Sequence, residues 1–246
     1  MPSNLYVSAA GAMARLTQLD LVSNNLANSG TTGYKRDGAY FESVLEASLM
    51  NQNGEAVAGG PGLNFVRSQG VASDFEAGSI DKTGAPLDVA ILGPGFLEVQ
   101  TEQGPRYTRA GSLVVDASGQ LTTTDGQPVM GEGGPIQATG SGVHVKPDGQ
   151  IFDAQNNPLG RLKIVEFQNL SALKKEGHQR FEALPGALPT ATANPSVAPG
   201  SLESSNVNAV TELGTLVILQ RAFEANIKTL QADDDATASL IREVRG

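Results

Sequence analysis

The chain has 246 residues, enough for one large or two modest domains, with 39% hydrophobic residues, 29 glycines, 13 prolines and neither cysteine nor tryptophan. Its net charge of −9 argues against nucleic acid or an anionic membrane surface as partner, since either needs a basic footprint. Without cysteine there are no disulfides or Cys-based zinc sites, and no run approaches the roughly 20 apolar residues of a membrane span.

The N-terminal stretch "MPSNLYVSAAGAMARL" lacks the basic region and dense apolar block of a Sec signal peptide, so any export is expected by another route. From Asn4 to Asn28, Leu5, Ala9, Ala12, Leu16, Leu19 and Leu26 recur at spacings of four, three, four, three and seven. That is a heptad seam with a gap at Ser23, which Val22 partly fills. Asn28-Ser29-Gly30 is expected to end the helix, with asparagine or glycine in a left-handed C-cap. The amides Asn24, Asn25 and Asn28 crowd this end, in "LVSNNLANSGTTGYKR" at Leu21–Arg36. "YFESVLEASLM" is expected to form a short helix, and "NQNGEAVAGGPG" to be irregular.

Residues 75–184 read as β. "PLDVAILGPGFLEVQ" alternates around a Gly-Pro-Gly break, and "RYTRAGSLVVD", "GQLTTTDGQPVM", "SGVHVKPDGQIFD" and "GRLKIVEF" are short strands between turn pairs. "LVVDASGQLTTTDGQPV" (113–129) aligns with "VHVKPDGQIFDAQNNPL" (143–159) at an offset of 30 residues. The repeat is expected to be two hairpins of one antiparallel sheet or barrel, with chance similarity of turn chemistry as the alternative.

"ALPGALPTATANPSVAPG" (183–200) is expected to be an extended connector. Asn208 is the expected N-cap of a second helix, with Glu212 in its first turn. Ala209, Leu213, Leu216, Gln220, Phe223, Ile227, Leu230, Asp234, Thr237, Ile241 and Val244 keep a strict four-three spacing. The expected fold class is therefore α+β. The N- and C-terminal helices form an antiparallel coiled-coil domain, and a central antiparallel β-rich domain lies between them in the chain. The divisions are 1–33, 34–74 (partly irregular), 75–184, 185–205 and 206–246.

Chemistry is scarce. His144 lies in a strand pattern and His178 in the charged loop "KKEGHQR", with no metal-ligand spacing between them. There is no Gly-x-Ser-x-Gly, no Walker motif, and "GPGF" lacks the third glycine of a dinucleotide fingerprint. Asp233-Asp234-Asp235 point about 100° apart on a helix and do not converge on one ion. No catalytic, cofactor-binding or metal residue is assigned, no cofactor is expected, and no small-molecule substrate or membrane-embedded segment is anticipated.

"SAAGAMARLTQLDLVSNNLANSGTTGYKR" resembles the N-terminal signature of the flagellar rod, hook and hook-associated protein family. "GSLESSNVNAVTELGTLVILQRAFEANIKTLQADDD" resembles its C-terminal partner, and "GAPLDVAILGPGFLEVQTEQGPRYTRAGSLVVDASGQLTTTDGQPV" is similar to the β domain of rod and hook proteins. The length suits a rod protein. "PLGRLKIVEF" and Leu97 in "GFLEV" point to the proximal-rod kind, with the distal-rod kind as close alternative.

The resemblance implies a structural subunit of the basal-body rod, not an enzyme, that transmits torque for motility. It implies export, unfolded, through the flagellar type III apparatus and assembly in the periplasm, with itself and other rod subunits, into a helical tube. The terminal segments would fold on joining the tube. The expected assembly surface is Leu5, Ala9, Ala12, Leu16, Leu19, Asn24, Asn25, Leu26, Asn28, Leu213, Leu216, Gln220, Phe223, Ile227 and Leu230. In that setting Asn24 and Asn25 face other subunits. A different class of reading is a β-rich binding module or enzyme dimerised by its terminal helices.

Overall fold

The computed structural model describes residues 2–46, 63–140 and 142–245. The chain divides into two compact units. A helical unit comprises 1–26, 37–72 and 208–246, and a β-rich unit comprises 27–36 and 73–207.

In the helical unit, α1 spans Pro2–Ala27 and α2 spans Ala209–Arg245. At 1.5 Å per residue α2 is about 55 Å long. Asn208 caps it, its Oδ1 accepting the N–H groups of Val210 and Thr211 at 3.1 Å each.

The α+β class holds, but the expected antiparallel coiled coil is not formed. Among the described residues, apolar side chains ring the helices instead of closing one interlocking seam. Leu16 is 49% exposed on α1, and Leu213 and Ile218 are 50% and 69% exposed on α2. The more sheltered stripe of α2 runs Glu212, Leu216, Leu219, Phe223, Asn226, Leu230, so it takes the neighbour of the expected Leu213 and Gln220, while the expected Ile227 is half-buried beside Asn226. On α1 the buried positions are Ala12, Val22 and Asn25. A coiled-coil seam needs large apolar knobs at its repeating positions, and these stripes carry Glu212, Asn226, Asn25 and a small alanine instead. Where α1 nears α2, a Cβ on Gly11 would stand 3.6 Å from Asn226 Nδ2, so the approach is between a glycine and an amide.

The described part of the segment expected as a short helix, 40–46, is a strand, and 47–50 lies outside the described residues. Asp37–Glu46 pairs with Leu63–Ser73 in a two-stranded sheet. Tyr40, Phe41 and Val44 prefer extended backbone, and an isolated short helix gains too little to nucleate. "NQNGEAVAGGPG" lies outside the described residues.

The β-rich unit centres on a six-stranded antiparallel sheet. Its strands lie in the order Leu173–Lys175, Arg180–Ala183, Gly104–Thr108, Phe96–Thr101, Ile164–Phe167, Pro189–Ala191. Successive side chains of a strand face opposite sides. Leu97 and Val99 therefore enter an aliphatic cluster with Val89, Leu121, Val129, Ile151 and Leu162. Phe96 enters an aromatic cluster with Tyr107, Phe167 and Phe181. There Tyr107 meets Phe167 edge-on at 4.8 Å and Phe96 meets Phe181 at 5.8 Å.

The 30-residue repeat is a repeat of geometry. Asp116 N–H donates to Gln120 O and Gly119 N–H to Asp116 O, and Lys146 and Gly149 make the same bonds to Gln150 and Lys146. The second turns match as well, Thr123 to Gln127 O against Asp153 to Asn157 O. Left-handed residues fall at Gly119 and Gly126 and again at Gly149 and Asn156. The two hairpins do not share a sheet, however. Leu113–Val115 pairs with Leu121–Thr123 in a two-stranded sheet, while His144–Val145 belongs to a three-stranded sheet. They share a core, since Leu121 and its repeat mate Ile151 are both fully buried.

The stretch 183–200 is extended but is not a free connector. Pro189–Ala191 and Val197–Pro199 are strands, as is Ser201–Glu203 just beyond, paired with Ile164–Phe167, Val89–Ile91 and Ile80–Lys82.

Candidate functional site where the terminal motifs meet

Residues 27–36 carry the N-terminal motif out of α1 and belong to the β-rich unit. After Ala27 a turn closes with Thr31 N–H donating to Asn28 O at 3.1 Å and Thr31 Oγ1 to Asn28 Oδ1 at 3.2 Å. The helix thus stops where expected, but the left-handed residue is Gly33, at φ +69°, and not Asn28 or Gly30. A Cβ on Gly33 would lie 2.4 Å from Ala110 N, so only glycine fits against the central motif. Gly33 N–H donates to Glu203 O at 2.7 Å, the first link to the C-terminal motif.

Lys35 then points inward. Its Nζ lies 2.6 Å from Glu203 Oε1 and donates to Glu76 O at 2.6 Å. Arg109 Nη1 reaches Glu203 Oε2 at 3.2 Å and its Nη2 donates to Gly93 O at 2.8 Å. Gly78 N–H adds a third donor to the carboxylate at 3.1 Å. The side chains of Lys35 and Glu203 are 1% and 2% exposed, and that of Arg109 is buried as well. Burial lowers the pKa of Lys35 and of Arg109, and Glu203 works against that shift in both by charge and hydrogen bond. One carboxylate held by two cations is a clamp, and with all three groups shut from solvent it offers no place for a substrate.

Further bonds complete the joint. Asn206 Oδ1 accepts Arg36 N–H at 2.7 Å, and its Nδ2 donates to Asp74 O and Glu76 O. Lys175 Nζ donates to Lys35 O at 2.6 Å and sits 3.7 Å from the centroid of the buried Tyr34 ring.

Most of the expected assembly residues lie on the helices. Ala12 is buried, Ala9, Leu19, Leu26, Leu216, Phe223, Ile227 and Leu230 are half-buried, and Leu16, Leu213 and Gln220 are exposed; the side chain of Leu5 lies outside the described set. The amides divide. Asn24 is exposed, Asn28 is in the turn, and Asn25 is 0% exposed. Asn25 Nδ2 donates to Asp37 O at 2.8 Å and its Oδ1 accepts Asp37 N–H at 2.9 Å, so it closes the loop 26–36 from within. Its burial gives it a hydrogen-bonding role within the chain, whereas Asn24 and Asn25 were both expected to face other subunits.

Lys35, Arg109, Glu203 and Asn206 were missed as a group. The available signal was a fixed charge inside each of three turn-rich motifs, "TTGYKR", "RYTRAG" and "SLESSN".

Residues 5–35 match the family described as flagella basal body rod protein, and 90–153 match the flagellar hook protein FlgE/F/G D1 domain. Residues 198–243 match the flagellar basal body rod FlgEFG protein C-terminal family. Each member of the buried triad thus comes from a different matched region. The chain is 34% identical to a flagellar basal-body rod protein FlgF of Caulobacter vibrioides, covering 98% of this chain and 96% of that one. It is 34% identical to FlgF of Escherichia coli over 96% of this chain and 95% of that one. It is 31% identical to a flagellar basal-body rod protein FlgG of Buchnera aphidicola over 98% and 99%. The chain belongs to the flagellar basal-body rod protein family, and its role is that of a structural rod subunit and not of an enzyme.

Proposed function

We propose that this subunit joins its neighbours through the apolar residues that α1 and α2 present to solvent. One observation carries the proposal. Met13 and Leu16 on α1, and Leu213, Val217 and Ile218 on α2, are large apolar side chains left 48–71% exposed. Such residues in number on two helices mark surfaces made to be covered. Contacts between different patches of successive copies do not close into a pair and generate an open helical array, a geometry suited to passing torque. Ala9, Ala12, Leu19, Leu26, Leu216, Phe223, Ile227 and Leu230 support these surfaces from the flanks, and Leu5, Asn24, Asn28 and Gln220 belong to the same proposed contact region.

The partners are further copies and other rod subunits of the flagellar basal body. The higher identity to the FlgF relatives supports a FlgF-type, proximal position over a FlgG-type one. Passage through the flagellar type III apparatus and a periplasmic site of assembly complete the reading. Leu16→Asp and Ile218→Asp test it. Both side chains are exposed, so each purified variant is expected to unfold within about 0.5 kcal/mol of wild type. Cells carrying either variant are expected not to swim and to lack a complete rod. Normal swimming in both strains defeats the proposal.

A further inference from the structure

We infer that residues 27–36 form a strap that stays docked on the β-rich unit when the terminal helices are unfolded, and so holds the roots of both helices together before a subunit is assembled. The strap leaves α1 but is part of the β-rich unit, not of the helical one. Beyond Ala27, where α1 ends, it contains no helix or strand. Its hold comes instead from side chains and loops spread over that unit: Asp74 N–H to Arg36 O at 2.7 Å, Glu76 O and Glu203 on Lys35, Lys175 on Lys35 O, and Asn206 on Arg36 N–H. None of these partners lies on α1 or α2. Gly33 against Ala110 fixes the register, since no other residue type fits there.

The second root is fixed by the same contacts. Asn206 bonds Arg36, Asp74 and Glu76, and α2 begins at Ala209. The free tether of the first root shortens from the 46 residue steps from Ala27 to Ser73 to the six steps from Ala27 to Gly33. Loop-closure scaling then raises the effective concentration of one helix-forming arm at the root of the other about twentyfold. The subunit reaches its assembly site with two arms springing from one anchored point. The purpose of the strap rests on the assembly reading above, whereas its docking does not. A swimming Leu16→Asp strain would remove the purpose and leave the exchange result below standing.

The test uses the full-length chain with Thr17→Pro and Thr229→Pro, one in each helix interior, where proline removes a hydrogen bond and clashes with the preceding turn. Circular dichroism establishes that the helices are lost. Amide exchange is then followed by mass spectrometry. Peptides over 27–36 are expected to exchange at least 100-fold more slowly than those over 5–26, in step with those over 96–108. Strap exchange at the rate of 5–26 overturns the inference. Adding Gly33→Val to the same chain is expected to speed strap exchange at least tenfold, and an unchanged rate also overturns it.

Discussion

Replacing Glu203 by glutamine keeps the shape of the clamp and removes its only anion. In wild type the carboxylate accepts from Lys35 Nζ at 2.6 Å, Gly78 N–H at 3.1 Å and Arg109 Nη1 at 3.2 Å. The amide keeps one acceptor oxygen and turns an NH2 group toward a donor. Lys35 and Arg109 are left as two buried cations facing a neutral group. Breaking a buried ion pair by removing one partner costs about 3–5 kcal/mol, and about 1.5–2.5 M of urea midpoint follows at about 2 kcal/mol per molar. The assay is urea unfolding at neutral pH followed by tyrosine fluorescence. Tyr34 and Tyr107 are buried in the β-rich unit, and the chain has no tryptophan to mask them. The triple variant Lys35→Met, Arg109→Met, Glu203→Leu is expected to lose less than Glu203→Gln alone, because it leaves no unpaired charge. A Glu203→Gln midpoint within about 0.3 M of wild type would refute the reasoning.

Gly33→Ala is expected to cost about 1–3 kcal/mol from the left-handed backbone alone, with the contact to Ala110 N adding to it, and urea unfolding measures the sum. Gln179 holds φ +53° in the turn after Gly177, and its backbone oxygen accepts Thr108 Oγ1 at 2.8 Å, a bond that glycine would keep. Gln179→Gly trades about 1–2 kcal/mol of strain for about 0.5–1 of chain entropy, so a higher urea midpoint is expected. Glu176 is held below its ordinary pKa of 4.5 chiefly by the hydrogen bond from Arg106. Its contribution is present in full above the unfolded carboxylate range and is lost as pH falls through the lower folded value. Glu176→Gln is therefore expected to lower stability at pH 7 and to flatten the acid limb, read from midpoints between pH 2 and 7.

The sequence was most legible where one local rule decides the outcome. Asn208 caps α2 because its side chain reaches the next N–H groups whatever else the chain does. The Gly-Gln turns repeat because Gly119 and Gly149 both supply positive φ. Over "YFESVLE" a strand stands in place of the expected helix because a short window with apolar residues on several spacings does not choose between helix and strand, and pairing with Leu63–Ser73 chose for it. The four-three spacing in both termini coincides with the sheltered positions only in part, since Leu16, Leu213 and Gln220 are exposed, and it did not imply a paired seam. Neither spacing nor propensity shows that Asn25 and Glu212 occupy sheltered positions while Leu16 and Leu213 do not. The clamp was least legible. Lys35 and Glu203 stand 168 residues apart, and nothing local announces that two turn motifs are one joint.

Because the chain has no cysteine, a single one at Ile218 reports on that site alone, and one at Leu188, 76% exposed on the β-rich unit, serves as reference. Maleimide labelling of the purified subunit and of isolated basal bodies tests most directly whether the apolar helix surfaces are covered by neighbouring subunits. Ile218→Cys is expected to label fully in the free subunit and at least tenfold more slowly in basal bodies, under conditions that saturate it in the monomer. Equal labelling of Ile218→Cys in both states would contradict the account.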